Sequence, residues 1–121
     1  MENKKTLVIG ASPSPMRYAY KAVKRLVSYG HDVVAIGKLD AEIDGVKINR
    51  EMIDIPDLHT VTMYLNPEKQ EPYLDYIIEL KPRRVIFNPG SFNPKLEKMA
   101  KLAGILVVED CTLVMLDTDD Y

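Results

Sequence analysis

The chain has 121 residues, 46% of them hydrophobic and 28% charged, with a formal net charge of −2. That length predicts one domain, residues 1–121, around one core, and the near-neutral balance excludes the basic footprint of a nucleic-acid-binding surface. No apolar stretch reaches the ~18 residues of a membrane span, and the lone Cys111 excludes an internal disulfide framework or zinc–thiolate cluster.

Taken in order, the chain opens with the polar stretch Met1-Glu2-Asn3-Lys4-Lys5, which leads into no signal-peptide core. A reducing cytoplasm is therefore the expected setting. Thr6-Leu7-Val8-Ile9 then forms a short apolar run, the pattern of a strand buried on both faces. The loop Gly10-Ala11-Ser12-Pro13-Ser14-Pro15 follows, with Ser14 and Pro15 in the pattern of an N-cap and first helical position. From Tyr18 to Tyr29, residues Tyr18, Ala22, Val23, Leu26 and Val27 fall near one helical face, and Gly30 stops the helix. Val33-Val34-Ala35-Ile36 predicts the second strand, ending at Gly37-Lys38.

The next connection is irregular. Asp44-Gly45 signals a turn, and Val46-Lys47-Ile48 reads as a short extra strand or hairpin. Ile53-Asp54-Ile55-Pro56 suggests a brief helical turn. The third strand is expected over 61–65 and the fourth over 84–87, separated by a helix from Tyr73 to Leu80 that Pro82 ends. A helix from Lys95 to Ala103 precedes the fifth strand, Ile105-Leu106-Val107-Val108. Thr112 to Leu116 then packs as a last helical turn or strand, and residues 116–121 are expected to fray.

Alternating strands and helices predict an α/β, Rossmann-like, doubly wound parallel sheet with helices on both faces. The expected order of its five strands is 3-2-1-4-5, with the switch point between strands 1 and 4. Ligands of such sheets lie at the carboxyl ends of the strands. That rule nominates Gly10, Ala11, Ser12, Pro13 and Ser14 after strand 1, with Arg17 one turn further on. It also nominates Gly37 and Lys38, Asn66 and Pro67, and Asn88, Pro89 and Gly90 after the next three strands. Free amides at a helix N-terminus attract phosphate; the alternative is a plain capped connection.

The full G-x-G-x-x-G fingerprint is absent, since Ser12 and Pro15 stand where its later glycines would be. Gly37-Lys38 also replaces the acidic residue that grips an unphosphorylated ribose. Lys38 suits a ribose phosphate, which disfavours NAD and leaves coenzyme A or NADP; it also reads as an ordinary solvated turn lysine.

At this point Val8-Ile9-Gly10-Ala11-Ser12-Pro13, Arg17 and Tyr29-Gly30-His31-Asp32-Val33-Val34 resemble the small stand-alone CoA-binding proteins, relatives of the CoA-binding domain of succinyl-CoA synthetase. Gly45-Val46-Lys47, Asp54-Ile55-Pro56, Asn88-Pro89-Gly90 and Glu109-Asp110-Cys111 extend the resemblance over nearly the whole chain. The resemblance implies a Rossmann-like fold that binds coenzyme A. It places the phosphates over Gly10 to Ser14 near Arg17, the adenosine by Gly37-Lys38 and Asn66-Pro67, and the pantetheine arm past Asn88-Pro89-Gly90. Two departures stand out: Gly37-Lys38 where the family often has Asn-Pro, and Leu65 where many members carry arginine.

His31 and His59 precede strands and should lie at the end opposite the ligand rim, out of reach for acid–base work. Cys111 lies on the ligand side, where acidic neighbours Glu109 and Asp110 disfavour a thiolate. Asp117, Asp119 and Asp120 sit in the tail and are not read as a metal site. The expected function is a non-catalytic module for coenzyme A or an acyl-CoA. The alternatives are an NADP-binding oxidoreductase-like domain, with Tyr64 and Tyr18 as its weak proton-donor candidates, or a subunit completing an acyl-CoA synthetase in trans. A homodimer is compatible with each.

Overall fold

The computed structural model describes residues 2–121. Seven strands form one sheet: β1 (Thr6–Ala11), β2 (Val33–Gly37), β3 (Glu42–Ile43), β4 (Val46–Asn49), β5 (Thr60–Met63), β6 (Arg84–Phe87) and β7 (Leu106–Glu109). Their spatial order is β3-β4-β2-β1-β5-β6-β7. All neighbours run parallel except β3 and β4, which form an antiparallel hairpin across Asp44 and Gly45. Both turn residues have positive φ, +47° and +83°, as a two-residue hairpin turn requires.

This arrangement corrects the expected five strands in the order 3-2-1-4-5. The third predicted strand, β5, lies beside β1 on the side away from β2, with Leu7 opposite Val61 and Ile9 opposite Met63. All four residues of β5 are buried, so it belongs in the sheet's interior. The outer position next to β2 goes instead to β4, through Ala35 opposite Ile48 and Ile36 opposite Asn49. The switch point therefore falls between β1 and β5.

Helices cover both faces. On one face, α1 (Tyr18–Ser28) and α5 (Thr112–Asp117) bury Ala19, Val23, Leu26, Met115 and Leu116 against Val8, Ala35 and Ile86. On the other, α3 (Leu74–Leu80) and α4 (Pro94–Leu102) bury Leu74, Ile77, Leu96 and Ala100 against Leu7, Ile9, Val61 and Val85. A short helix α2 (Pro67–Gln70) and a 3₁₀ turn (Glu71–Tyr73) lead into α3. The helical turn expected at Ile53–Pro56 does not form; the segment runs without regular structure and buries Ile55.

The α1/α5 face carries a polar seam. Thr6, Thr60, Thr62 and Arg84 are all buried there. The expected frayed tail is part of this seam. Tyr121 is 5% exposed; its hydroxyl bonds Thr6 Oγ1 at 2.5 Å, and its ring centroid lies 4.3 Å from the Arg84 guanidinium. Lys4 Nζ donates to the main-chain oxygen of Tyr121. Burial of an aromatic ring and these polar contacts outweigh the entropy of ordering the tail. Arg25 on α1 pairs with Asp117 at the end of α5.

Candidate functional site

The carboxyl rim is built around two glycines. Gly10 has φ +95°, and an added Cβ would stand 3.1 Å from Leu65 Cδ2. Leu65 thus packs against the first loop. At Gly37 a Cβ would stand 2.1 Å from the Ala11 carbonyl oxygen. The register of β1 shifts between Ile9 and Ala11, bringing Ala11 opposite Gly37. The first and second predicted loops are therefore in backbone contact, and the first also meets the third through Leu65.

Helix α1 starts at Tyr18, where the helical spacing predicts it. Its N-cap is Arg17, not Ser14, and no side chain caps it. Pro15 lies in a turn closed by the Arg17 amide on the Ser14 carbonyl at 3.1 Å. Ser12 Oγ accepts the Ser14 amide at 3.1 Å, so the serines shape the loop itself. The first turn of α1 contains no acidic residue. Uncapped amides and a positive dipole end therefore face the rim. Arg17 and Lys38 are exposed beside them, while Pro13 and Ser14 are half-buried.

The third and fourth loops are locked by the nominated Asn66 and Asn88, whose side chains bond within the protein, together with Gln70 and Asn93, which are not among the residues nominated from the sequence. Asn66 Oδ1 caps α2 by accepting the Lys69 amide at 3.0 Å, and Pro67 is the first helical residue. Gln70, fully buried, donates to the carbonyls of Leu65 (2.8 Å) and Ser91 (2.6 Å). Asn93 Nδ2 donates to Gln70 Oε1 at 3.1 Å, and Asn93 Oδ1 caps α4. Asn88 turns inward: its Nδ2 donates to Thr62 Oγ1 (2.7 Å) and the Met63 carbonyl (2.9 Å), and its Oδ1 accepts the Thr112 amide (2.8 Å). Its side chain is thus a brace between β5, β6 and α5, while Pro89 and Gly90 remain exposed.

Two depressions flank this rim. One, of about 350 Å³, lies at the ends of β6 and β7 against Phe87, Gly90, Phe92, Glu109, Asp110 and Cys111. The other, of about 620 Å³, lies at the end of β4 against Asp40, Asn49, Arg50 and Glu51. Arg50, 3.8 Å from Asp40, adds a cation on the side of Lys38.

The remaining reactive groups lie elsewhere. His31 Nδ1 accepts the Lys4 amide at 2.9 Å, and His59 Nδ1 lies 2.7 Å from Thr60 Oγ1, both at the amino ends of strands. Burial, then nearby cations, lowers the pKa of each imidazole. Tyr64 packs into the α1/α5 layer, where burial pushes its phenol above the usual range. Tyr18 is 67% exposed with Lys21 Nζ over its ring. Among the described residues no group of three or more His, Cys, Asp or Glu could hold a metal ion, and no helix is long and apolar enough to cross a membrane.

A mostly parallel, Rossmann-like sheet with a glycine-opened β1–α1 loop at its switch point defines the class: an α/β domain of nucleotide-binding architecture. A family model described as CoA binding domain matches residues 4–117, and the chain belongs to that family. No curated protein matches it. Among solved structures, the crystal structure of an uncharacterized protein is 45% identical over all of both chains, with a TM-score of 0.96. A hypothetical protein from Pyrococcus horikoshii OT3 is 29% identical over 96% of this chain and 83% of that one, with a TM-score of 0.86. The dinucleotide-forming acetyl-coenzyme A synthetase 1 of Ca. Korarchaeum cryptofilum, in complex with phosphate and ADP, shares the fold at 22% identity and a TM-score of 0.72. The likeness covers 88% of this chain and 25% of the synthetase.

Proposed function

We propose that this protein binds coenzyme A or an acyl-CoA across the carboxyl rim of its sheet, as a binding module without a reaction of its own. Membership of the CoA-binding domain family supports CoA-related binding. The observation that carries the site is the uncapped, acid-free start of α1 above Gly10, with Arg17 and Lys38 exposed beside it. Amides of Tyr18, Ala19 and Tyr20 precede the first intrahelical bond, from Lys21 to Arg17, and are free to meet a pyrophosphate.

The dipole at a helix end contributes only about 0.3–1 kcal/mol, so several amide hydrogen bonds must act together. Gly37 lets backbone approach backbone here, Gly10 makes room for Leu65, and neither puts a side chain of its own into the pyrophosphate's path. Lys38, at the end of β2, is placed for the ribose phosphate; Pro89 and Gly90 line the way for the pantetheine arm.

Calorimetric titration with CoA, dephospho-CoA, NADP and NAD tests this reading. CoA should bind, dephospho-CoA should bind about tenfold more weakly, a difference of about 1.4 kcal/mol, and Lys38→Ala should abolish that difference. Binding of NADP but not CoA would transfer the site to the oxidoreductase-like reading.

A further inference from the structure

The cavity at the ends of β6 and β7 differs in character from the rest of the rim. The rim near β1 and β2 presents the exposed cations Arg17 and Lys38, and at the end of β4 Arg50 is paired with Asp40. The cavity presents Glu109 and Asp110 over an aromatic floor, with no lysine or arginine in its wall. Phe87 and Phe92 meet edge-to-face, centroids 5.4 Å apart at 72°, which fixes that floor. Asn88 has spent its amide on Thr62, Met63 and Thr112 and presents no hydrogen-bonding side chain to the cavity. Above Gly90 there is open space: nothing lies within 4 Å of where a Cβ would stand.

This polarity orients a ligand that is anionic at one end only. A phosphorylated adenosine diphosphate goes to the cationic side and is repelled by Glu109 and Asp110. The opposite, uncharged end of the same molecule reaches the β6–β7 cavity, two and three strands from β1, or roughly 10–15 Å at the usual strand spacing. An extended pantetheine arm is long enough for that crossing. The depression's 350 Å³ leaves room for a thiol end and a short acyl chain.

Resting on the CoA reading above, we propose that this cavity receives the acyl group of short-chain, uncharged acyl-CoAs, and that Glu109 and Asp110 reject acyl groups ending in a carboxylate. Phe87 and Phe92 supply apolar contact for the chain. Neither acid has a basic partner among the described residues, and Asp110 Oδ1 accepts only the Cys111 amide, at 2.7 Å, so both remain anionic toward whatever enters.

Butyryl-CoA and succinyl-CoA, which differ chiefly in one terminal carboxylate, are the probes, each titrated against free CoA. Butyryl-CoA should bind more tightly than CoA, and succinyl-CoA at least about tenfold more weakly than butyryl-CoA, with a gap that narrows in high salt. The double variant Glu109→Gln, Asp110→Asn, both exposed positions, should close most of that gap. Equal binding of the two acyl-CoAs by the wild type, or a gap the double variant preserves, overturns the proposal while the CoA reading stands. Failure of CoA itself to bind overturns both.

Discussion

Gly37 and Ala11 stand so close that a single added carbon on Gly37 would lie 2.1 Å from the Ala11 carbonyl oxygen. This contact sets how tightly the ends of β1 and β2 converge beneath the proposed phosphate site. The obstructing atom is backbone and cannot swing aside. Gly37→Ala should therefore destabilise the fold by about 2–3 kcal/mol, as overpacking does elsewhere, and weaken CoA binding by splaying the rim. Gly90→Ala, at φ +87° with open space around it, should cost only about 1–2 kcal/mol of backbone strain. Urea unfolding of the two variants checks the contrast.

Asn88 satisfies three internal partners at 2.7–2.9 Å. In Asn88→Ala, the Met63 carbonyl and Thr112 amide lose their partner inside the protein. The expected loss is about 3 kcal/mol, since each buried group left unsatisfied costs about 1–3 kcal/mol. Asn88→Asp should be little better, because an ionised carboxylate cannot donate to the Met63 carbonyl. Denaturant midpoints of both variants provide the measurement.

Arg84 is a buried cation with no carboxylate partner among the described residues. Its Nε donates to Thr60 Oγ1 at 2.7 Å, its Nη2 has no hydrogen bond, and Tyr121 covers it. Removing such a charge relieves its desolvation, so Arg84→Met should be neutral or stabilising by up to about 2 kcal/mol. Tyr121→Ala should instead cost about 3 kcal/mol, the usual scale for a buried aromatic. Thermal unfolding distinguishes the two signs.

The same pole of the molecule makes stability pH-dependent. Burial first, and then Lys4 and Arg84, lower the pKa of His31 from its ordinary value of 6.5. His59 is lowered by burial, then Arg84 and Lys4. In the folded state Nδ1 of His31 accepts the Lys4 amide and must be unprotonated. Below the ordinary pKa the unfolded chain therefore binds more protons than the folded one, and stability falls as pH falls. Denaturant midpoints should drop between about pH 7.5 and about pH 5, and the drop should shrink in the double variant His31→Asn, His59→Gln. Arg84→Met should shrink it as well, by removing a cation that opposes protonation of both rings.

By itself, the sequence determined the strand–helix alternation, the five main strands to within a few residues, and the loops that gather at the rim. Those follow from continuous apolar runs and helical spacing, which are local. Only the tertiary structure decided the order of the strands. Val46-Lys47-Ile48 reads as a short extra strand but is too short to announce its place in the sheet, and its pairing with β2 takes the position expected for β5, which lies on the other side of β1. The polar seam was hidden for the same reason: Thr60 and Thr62 look like ordinary strand residues until Arg84, Asn88 and Thr112 bond to them from positions 24–50 residues away. Gln70 carries no motif, because the Leu65 and Ser91 carbonyls it satisfies come within reach only in the assembled loops; Asn93-Pro94 does have the local pattern of an N-cap and first helical proline, and only its bond to Gln70 depends on the assembled loops. Tyr121 was likewise unreadable as part of the core, since the surface it covers is made by Thr6, His31 and Arg84 together.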